Sequence, residues 1–177
     1  MSEPADPRPR PAEDAVIEVR LPARRRLLAM LGAGGVSYCY QCGACVGDCP
    51  SARFHAGFNP REIMLTALVG AIDRLIGLDS VIWQCSNCYN CYERCPQDVR
   101  PVEVIIALKN LARLEGVPPP EVRSVYEAIL KTGRSAPVIG GLERKRAGLG
   151  LPPLPRIDVA EIAAILAPDE GEAEERA

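Results

Sequence analysis

A chain of 177 residues with a formal net charge of −2 and a single histidine presents no electrostatic footprint for nucleic acid. Hydrophobic residues make up 47% of it but aromatics only 5%, and 17 prolines interrupt the apolar runs. That balance predicts an all-α domain of Leu-, Ile-, Val- and Ala-rich helices joined by proline-marked turns, with no apolar run long enough to span a bilayer.

Residues 1–14 mix Pro, Glu, Asp and Arg without apolar periodicity and predict a disordered arm. Residues 15–21 alternate loosely and predict a short edge strand or an extended lead-in. A helix follows over 22–31, with Pro22 at its first position, Leu27, Leu28 and Leu31 at helical spacing, and Gly32 past its end. Arg24, Arg25 and Arg26 before the leucines raise the question of a twin-arginine export signal. The apolar run flows toward Cys39 with no cleavage site, so the reading is a basic helix that packs its leucines and solvates its arginines. With Arg20, that basic patch suits an acidic partner.

Cys39-Tyr-Gln-Cys42-Gly-Ala-Cys45-Val-Gly-Asp-Cys49-Pro50 then returns as Cys85-Ser-Asn-Cys88-Tyr-Asn-Cys91-Tyr-Glu-Arg-Cys95-Pro96, and the two runs use all 8 cysteines. Three thiolates two residues apart on a tight turn converge on one cuboidal iron-sulfur cluster, while the fourth points to a second cluster. The spacing therefore predicts two [4Fe-4S] clusters with crossed ligands: Cys39, Cys42, Cys45 and Cys95 on the first, Cys85, Cys88, Cys91 and Cys49 on the second. Zinc prefers two separated C-x-x-C knuckles, and disulfides need wider Cα separations and a secretory context. An unsignalled chain of this kind is expected in the cytoplasm. Pro50 and Pro96 suit the first turn of a following helix.

Between the runs, Asn59, Pro60 and Glu62 form a capping box opening a helix that runs to Gly77, with Ile63, Met64, Ala67, Leu68, Ala71, Ile72, Leu75 and Ile76 on its apolar stripe. Asp79 and Ser80 cap a short turn into Cys85. Pro101 starts a helix over 102–115 that is apolar on most of its circumference and reads as the buried centre. Another amphipathic helix over 121–131 turns Val122, Val125, Tyr126 and Ile129 inward and stops at Gly133. Residues 136–155, with Arg144, Lys145 and Arg146 among glycines and prolines, predict an extended basic segment that lies along a partner or stays free. A short helix over 158–167 and a solvated acidic tail close the chain. The expected organisation is an arm (1–14), a two-cluster domain (15–135), and a C-terminal basic segment, helix and tail (136–177).

Tyr38, Tyr40, Trp83, Tyr89 and Tyr92 crowd the cysteine runs, where burial would both exclude water and fill a core poor in Phe. His55 lies outside the cysteine spacing and reads as a loop or surface residue. No nucleophile elbow, phosphate loop, dinucleotide fingerprint or paired-carboxylate signature occurs, so two clusters without a substrate motif imply an electron relay.

Two such runs joined by a helix resemble the α-helical ferredoxin fold. On Cys39-Tyr-Gln-Cys42-Gly-Ala-Cys45, Cys49-Pro50-Ser51, Trp83-Gln-Cys85, Cys88-Tyr-Asn-Cys91-Tyr-Glu-Arg-Cys95-Pro96, Lys131-Thr132-Gly133 and the proline-rich stretch ending at Pro155, the chain is similar over residues 35–156 to the iron-sulfur C subunits of heterodisulfide reductases. The resemblance implies a non-catalytic electron-transfer subunit of an oxidoreductase complex. It implies two partners, a flavin-containing donor subunit and a cysteine-rich catalytic subunit working on a thiol-disulfide couple. The iron-sulfur subunits of flavin dehydrogenases for glycolate, glycerol 3-phosphate or succinate share the motif pair, but they carry an added domain for which no cysteines remain here. An iron-sulfur sensor or scaffold is the other alternative, although a sensor would expose an incomplete ligand set.

Overall fold

The computed structural model describes residues 18–166, and among them the regular elements are helical with no strand. The arm expected over 1–14 and the acidic tail lie outside the described residues. The chain divides into two units, Met1–Pro119 and Pro120–Ala177.

In the first unit α1 spans Leu21–Leu28 with proline in its first turn. The described part of the expected lead-in, residues 18–20, forms no strand. Leu27 is fully buried, but Leu31 falls beyond the helix end and is 97% exposed, so the inward stripe is shorter than its spacing suggests. Two of the three consecutive arginines are used within the fold: Arg24 donates to Ser37 Oγ (2.9 Å) and Arg26 pairs with Glu115 (2.6 Å). A 3-10 turn, Gly34–Tyr38, leads into the first cysteine run, which carries α2 (Ala44–Gly47) and ends in α3 (Pro50–Phe54).

The next helix starts at its Asn59 cap, but Glu62 takes the Asn59 side-chain amide rather than the backbone N–H that a capping box uses. Asn59 Oδ1 accepts from the backbone N–H groups of Arg61 (3.0 Å) and Glu62 (3.3 Å), and Asn59 Nδ2 donates to Glu62 Oε1 (3.0 Å). It stops early, however: α4 covers only Pro60–Leu68, and the rest of the stretch to Gly77 holds a 3-10 turn, Ile72–Arg74. The break serves the docking of α1. Gly70 adopts φ 76°, and a Cβ there would collide with the Arg20 carbonyl oxygen, while Arg20 N–H donates to the Val69 carbonyl (3.0 Å). The apolar stripe survives the break, since Ile63, Met64, Ala67, Ala71, Ile72 and Leu75 are all buried.

A 3-10 turn, Val81–Gln84, capped by Ser80, introduces the second run, which carries α5 (Asn90–Glu93). Helix α6, Pro101–Leu114, is the buried centre: Val102, Val104, Ile105, Leu108 and Leu111 are all but inaccessible, each such side chain stabilising by about 1.5–3 kcal/mol. It packs on α1, α4, α5 and the two turns that precede the cysteine runs.

The second unit holds α7 (Pro120–Thr132), α8 (Leu142–Gly148) and α9 (Val159–Leu166). Helix α7 therefore groups with the C-terminal elements, although its periodicity alone assigns it to the cluster domain. It has no buried residue; Val122 and Val125 remain 39% and 42% exposed. Its stop at Gly133 rests against Ile157, and α7 packs on α9. The segment read as extended is partly helical instead. In α8, Glu143 sits in the first turn and Lys145 and Arg146 in the last, an order that suits the helix dipole. Arg146 then donates to the Pro152 carbonyl (2.8 Å), folding the proline-rich stretch back onto α8.

Candidate metal centre

The two cysteine runs share one backbone design. Each follows a 3-10 turn and enters through an extended cysteine, Cys39 at ψ 113° or Cys85 at ψ 119°. Each then takes two left-handed residues, Gln41 (φ 61°) and Gly43 (φ 82°) in the first, Asn87 (φ 52°) and Tyr89 (φ 63°) in the second. This coil lets cysteines three apart line one cavity. Each run then closes into a four-residue helix, α2 or α5.

The fourth cysteines depart differently. Pro50 starts α3 directly, with Cys49 as its cap, whereas Pro96 opens a turn and the helix waits until Pro101. The expectation of a helix starting at Pro96 is thus corrected: Asp98 and Arg100 take left-handed conformations (φ 50° and 55°) that no helix continues through.

Two cavities collect the thiols. One is lined by Cys39, Cys42, Cys45 and Cys95; the other by Cys85, Cys88, Cys91 and Cys49. Helices α4 and α6 wall both, Met64 and Pro101 closing the first and Pro60, Val102 and Ile105 the second.

Two contacts between the halves of the unit hold this exchange of fourth cysteines. Ser51, the one buried polar residue among those described, donates its hydroxyl to the carbonyl of Gln84 (2.7 Å), so the segment after Cys49 is pinned to the residue before Cys85. On the other side Gly35 lies so close to Val99 that a Cβ would come within 2.9 Å of the Val99 carbonyl oxygen. The segment after Cys95 is thereby pressed against the turn before Cys39. Asn90 Nδ2 adds a bond to the Asp48 carbonyl (3.0 Å), and Arg94 pairs with Asp48 (2.8 Å).

The donor set fits an iron-sulfur cluster chemically. Burial pushes the Cys45 thiol up to about 11 and the Cys91 thiol up to about 12, and neighbouring cysteines add repulsion. Four thiolates in such a cavity require compensating positive charge, which iron supplies. Backbone N–H groups of Ala52, Val99 and Ala44 point at Cys49 (3.4 Å), Cys95 (3.3 Å) and Cys42 (3.5 Å), and Gln41 Nε2 donates to Cys39 (3.3 Å). Donors of this kind favour the charged sulfur.

Lys109 of α6, which no sequence motif marks, reaches the Cys85 carbonyl (3.1 Å) and Asn87 Oδ1 (3.2 Å). The aromatics divide. Trp83 is half-buried with its indole N–H on the Gly77 carbonyl (3.0 Å), but Tyr38 and Tyr40 are 70% and 57% exposed and fill no core. His55 is exposed at the end of α3. Among the described residues no helix is long and apolar enough to cross a membrane.

Residues 35–99 match the 4Fe-4S dicluster domain family. Over 131 residues, 73% of this chain and 80% of the relative, the protein is 40% identical to the C subunit of a ferredoxin/F(420)H(2)-dependent CoB-CoM heterodisulfide reductase of Methanosarcina acetivorans. The chain belongs to the heterodisulfide reductase C-subunit family. Other members of the family include the iron-sulfur C subunit of the CoB--CoM heterodisulfide reductase of Methanopyrus kandleri, 38% identical over 68% of this chain, and the C2 subunit of an H(2)/formate:CoB-CoM heterodisulfide,ferredoxin reductase of Methanococcus maripaludis, 41% identical over 64%. The chain spans 62% and 60% of those two relatives' lengths. Both cysteine runs lie inside the stretch that matches the dicluster domain.

Proposed function

We propose that the chain relays single electrons through two four-iron clusters between a flavin-containing subunit and a cysteine-rich catalytic subunit that acts on a thiol-disulfide couple, with no catalysis of its own. The observation that carries this reading is the pair of cavities, each lined by three cysteines of one run and the fourth of the other. Cys39, Cys42, Cys45 and Cys95 would hold one cluster, and Cys85, Cys88, Cys91 and Cys49 the other. A four-iron cluster supplies reversible one-electron exchange when bound.

The chain's own residues do the rest. Met64, Pro101, Val102 and Ile105 give the cavities apolar walls, and backbone N–H groups aimed at Cys49 and Cys95 stabilise charge on those sulfurs. Cys42 and Cys88 are exposed, one per cavity, so each site has a ligand at the surface where an electron can pass to or from a partner.

Anaerobic purification with iron and sulfide analysis tests the reading. The expected result is about eight irons per chain, two four-iron clusters seen in redox-titrated EPR, no disulfide reductase activity in the isolated chain, and a flavoprotein and a cysteine-rich protein co-purifying from the source cells. Zinc in place of iron, or one cluster with four free thiols, overturns it. The crossed ligand sets are tested by Cys49→Ala, which should disturb the cluster of the second run, and Cys95→Ala, which should disturb that of the first. If Cys49→Ala perturbs the cluster of Cys39, Cys42 and Cys45 instead, ligation is local.

A further inference from the structure

The two runs share a backbone design, yet their entry loops are held by groups of different charge. In the first, the neutral amide of Gln41 donates to Cys39 Sγ (3.3 Å). In the second, the ammonium of Lys109 bridges the Cys85 carbonyl (3.1 Å) and Asn87 Oδ1 (3.2 Å). Lys109 is half-buried on the central helix α6, and its two acceptors are both neutral. Among the described residues no carboxylate forms an ion pair with it. The first cavity has a cation of its own in Arg61, but that side chain is exposed, where water and salt screen it.

We propose that Lys109 is a potential-setting residue that selectively raises the reduction potential of the cluster held by Cys85, Cys88 and Cys91. Accepting one electron adds one negative charge to the site. A fixed positive charge at the loop of three of its ligands, in a poorly screened position, stabilises the reduced form more than the oxidised one. Lys109 touches only the loop of the second run, so the effect falls on one cluster of the pair. Sequence symmetry between the runs hides this asymmetry, since Lys109 is supplied by a helix outside both.

The proposal rests on the reading that the second run holds a cluster, but not on which cysteine is its fourth ligand. The experiment is redox-titrated EPR of the full chain, purified anaerobically, as wild type, Lys109→Gln and Lys109→Arg, with iron counted in each and Cys88→Ser used to identify the second run's signal. Lys109→Gln should shift the reduction equilibrium of that signal toward the oxidised form by about tenfold, 59 mV downward for a one-electron couple. The other signal should stay in place, and Lys109→Arg should restore the wild-type value. Equal shifts in both signals, no shift with iron retained, or a Lys109→Arg shift as large as that of Lys109→Gln each overturn the proposal. So does loss of the second run's iron in Lys109→Gln, which would make Lys109 a prop for the loop. If Cys88→Ser alters no iron-sulfur signal, the cluster reading itself fails, a result distinct from all of these.

Discussion

At the scale of single residues, Ser51 shows how much of the site depends on groups outside the cysteine runs. Its hydroxyl is buried against the Gln84 carbonyl, so replacement by alanine leaves that carbonyl without its partner in a place water does not easily reach. Ser51→Ala is expected to cost about 1–3 kcal/mol, read as a lower denaturant midpoint of the cluster-loaded chain under anaerobic conditions. The loss should fall on the joint between Cys49 and Cys85, so the second run's cluster is the one expected to bleach first during the titration. An unchanged midpoint would mean that the bond is replaced by solvent. Nothing in the serine's sequence neighbourhood announces this role, because its partner is 33 residues away.

At the scale of elements, the crossing of the two halves depends on how closely their backbones approach. Gly35 sits in the 3-10 turn before Cys39 and touches the Val99 backbone, four residues beyond Cys95. A methyl group at 2.9 Å from a backbone oxygen cannot be accommodated by a side-chain rotation, so one backbone must move. Gly35→Ala is therefore expected to draw Cys95 away from Cys39, Cys42 and Cys45, leaving about four irons instead of eight and a single EPR signal from the second run. Eight irons with both signals unchanged would show that the turn yields without disturbing the ligands. This contact marks the boundary of what the sequence discloses. The repeated cysteine spacing, the Asn59 cap and the apolar circumference of α6 are local patterns and are readable as such. Gly70 breaking the stripe of α4, Gly35 meeting Val99 and Lys109 reaching Cys85 all involve a second segment distant in the chain. The exposure of Leu31 has a local cause: it has the right spacing but lies past the point where α1 ends.

At the scale of the whole molecule, the clusters are expected to be part of the fold rather than additions to it. Cys39, Cys49, Cys85 and Cys95 pack against the same hydrophobic core as Leu27, Met64, Ile105 and Leu108, so on the proposed crossed ligation removing iron would leave two cavities at that core's edge and free both cross-links between the halves. Anaerobic chelation should accordingly abolish the cooperative unfolding transition and lower the far-UV helical signal, whereas a metal-free chain with an unchanged transition would show that the apolar core suffices. A different expectation applies to the second unit, where binding energy has to come from a surface. In α8, Arg144 and Lys145 are exposed, while Arg146 is engaged by the Pro152 carbonyl and holds the proline-rich stretch against the helix. Charge available for an acidic partner thus resides in Arg144 and Lys145, and Arg146 keeps the segment in shape to present it. Replacing Arg144 and Lys145 by glutamine should weaken co-purification with the partner subunits and flatten the salt dependence of assembly, with iron content and both EPR signals unchanged, because neither residue lines a cluster cavity. Arg146→Gln should weaken assembly by a different route, loosening the fold-back, so its effect should persist at high salt where the charge effect of the other two has vanished. Pull-downs over a series of salt concentrations separate the two, and equal assembly by all variants at every salt would return the segment to the role of a solvated linker.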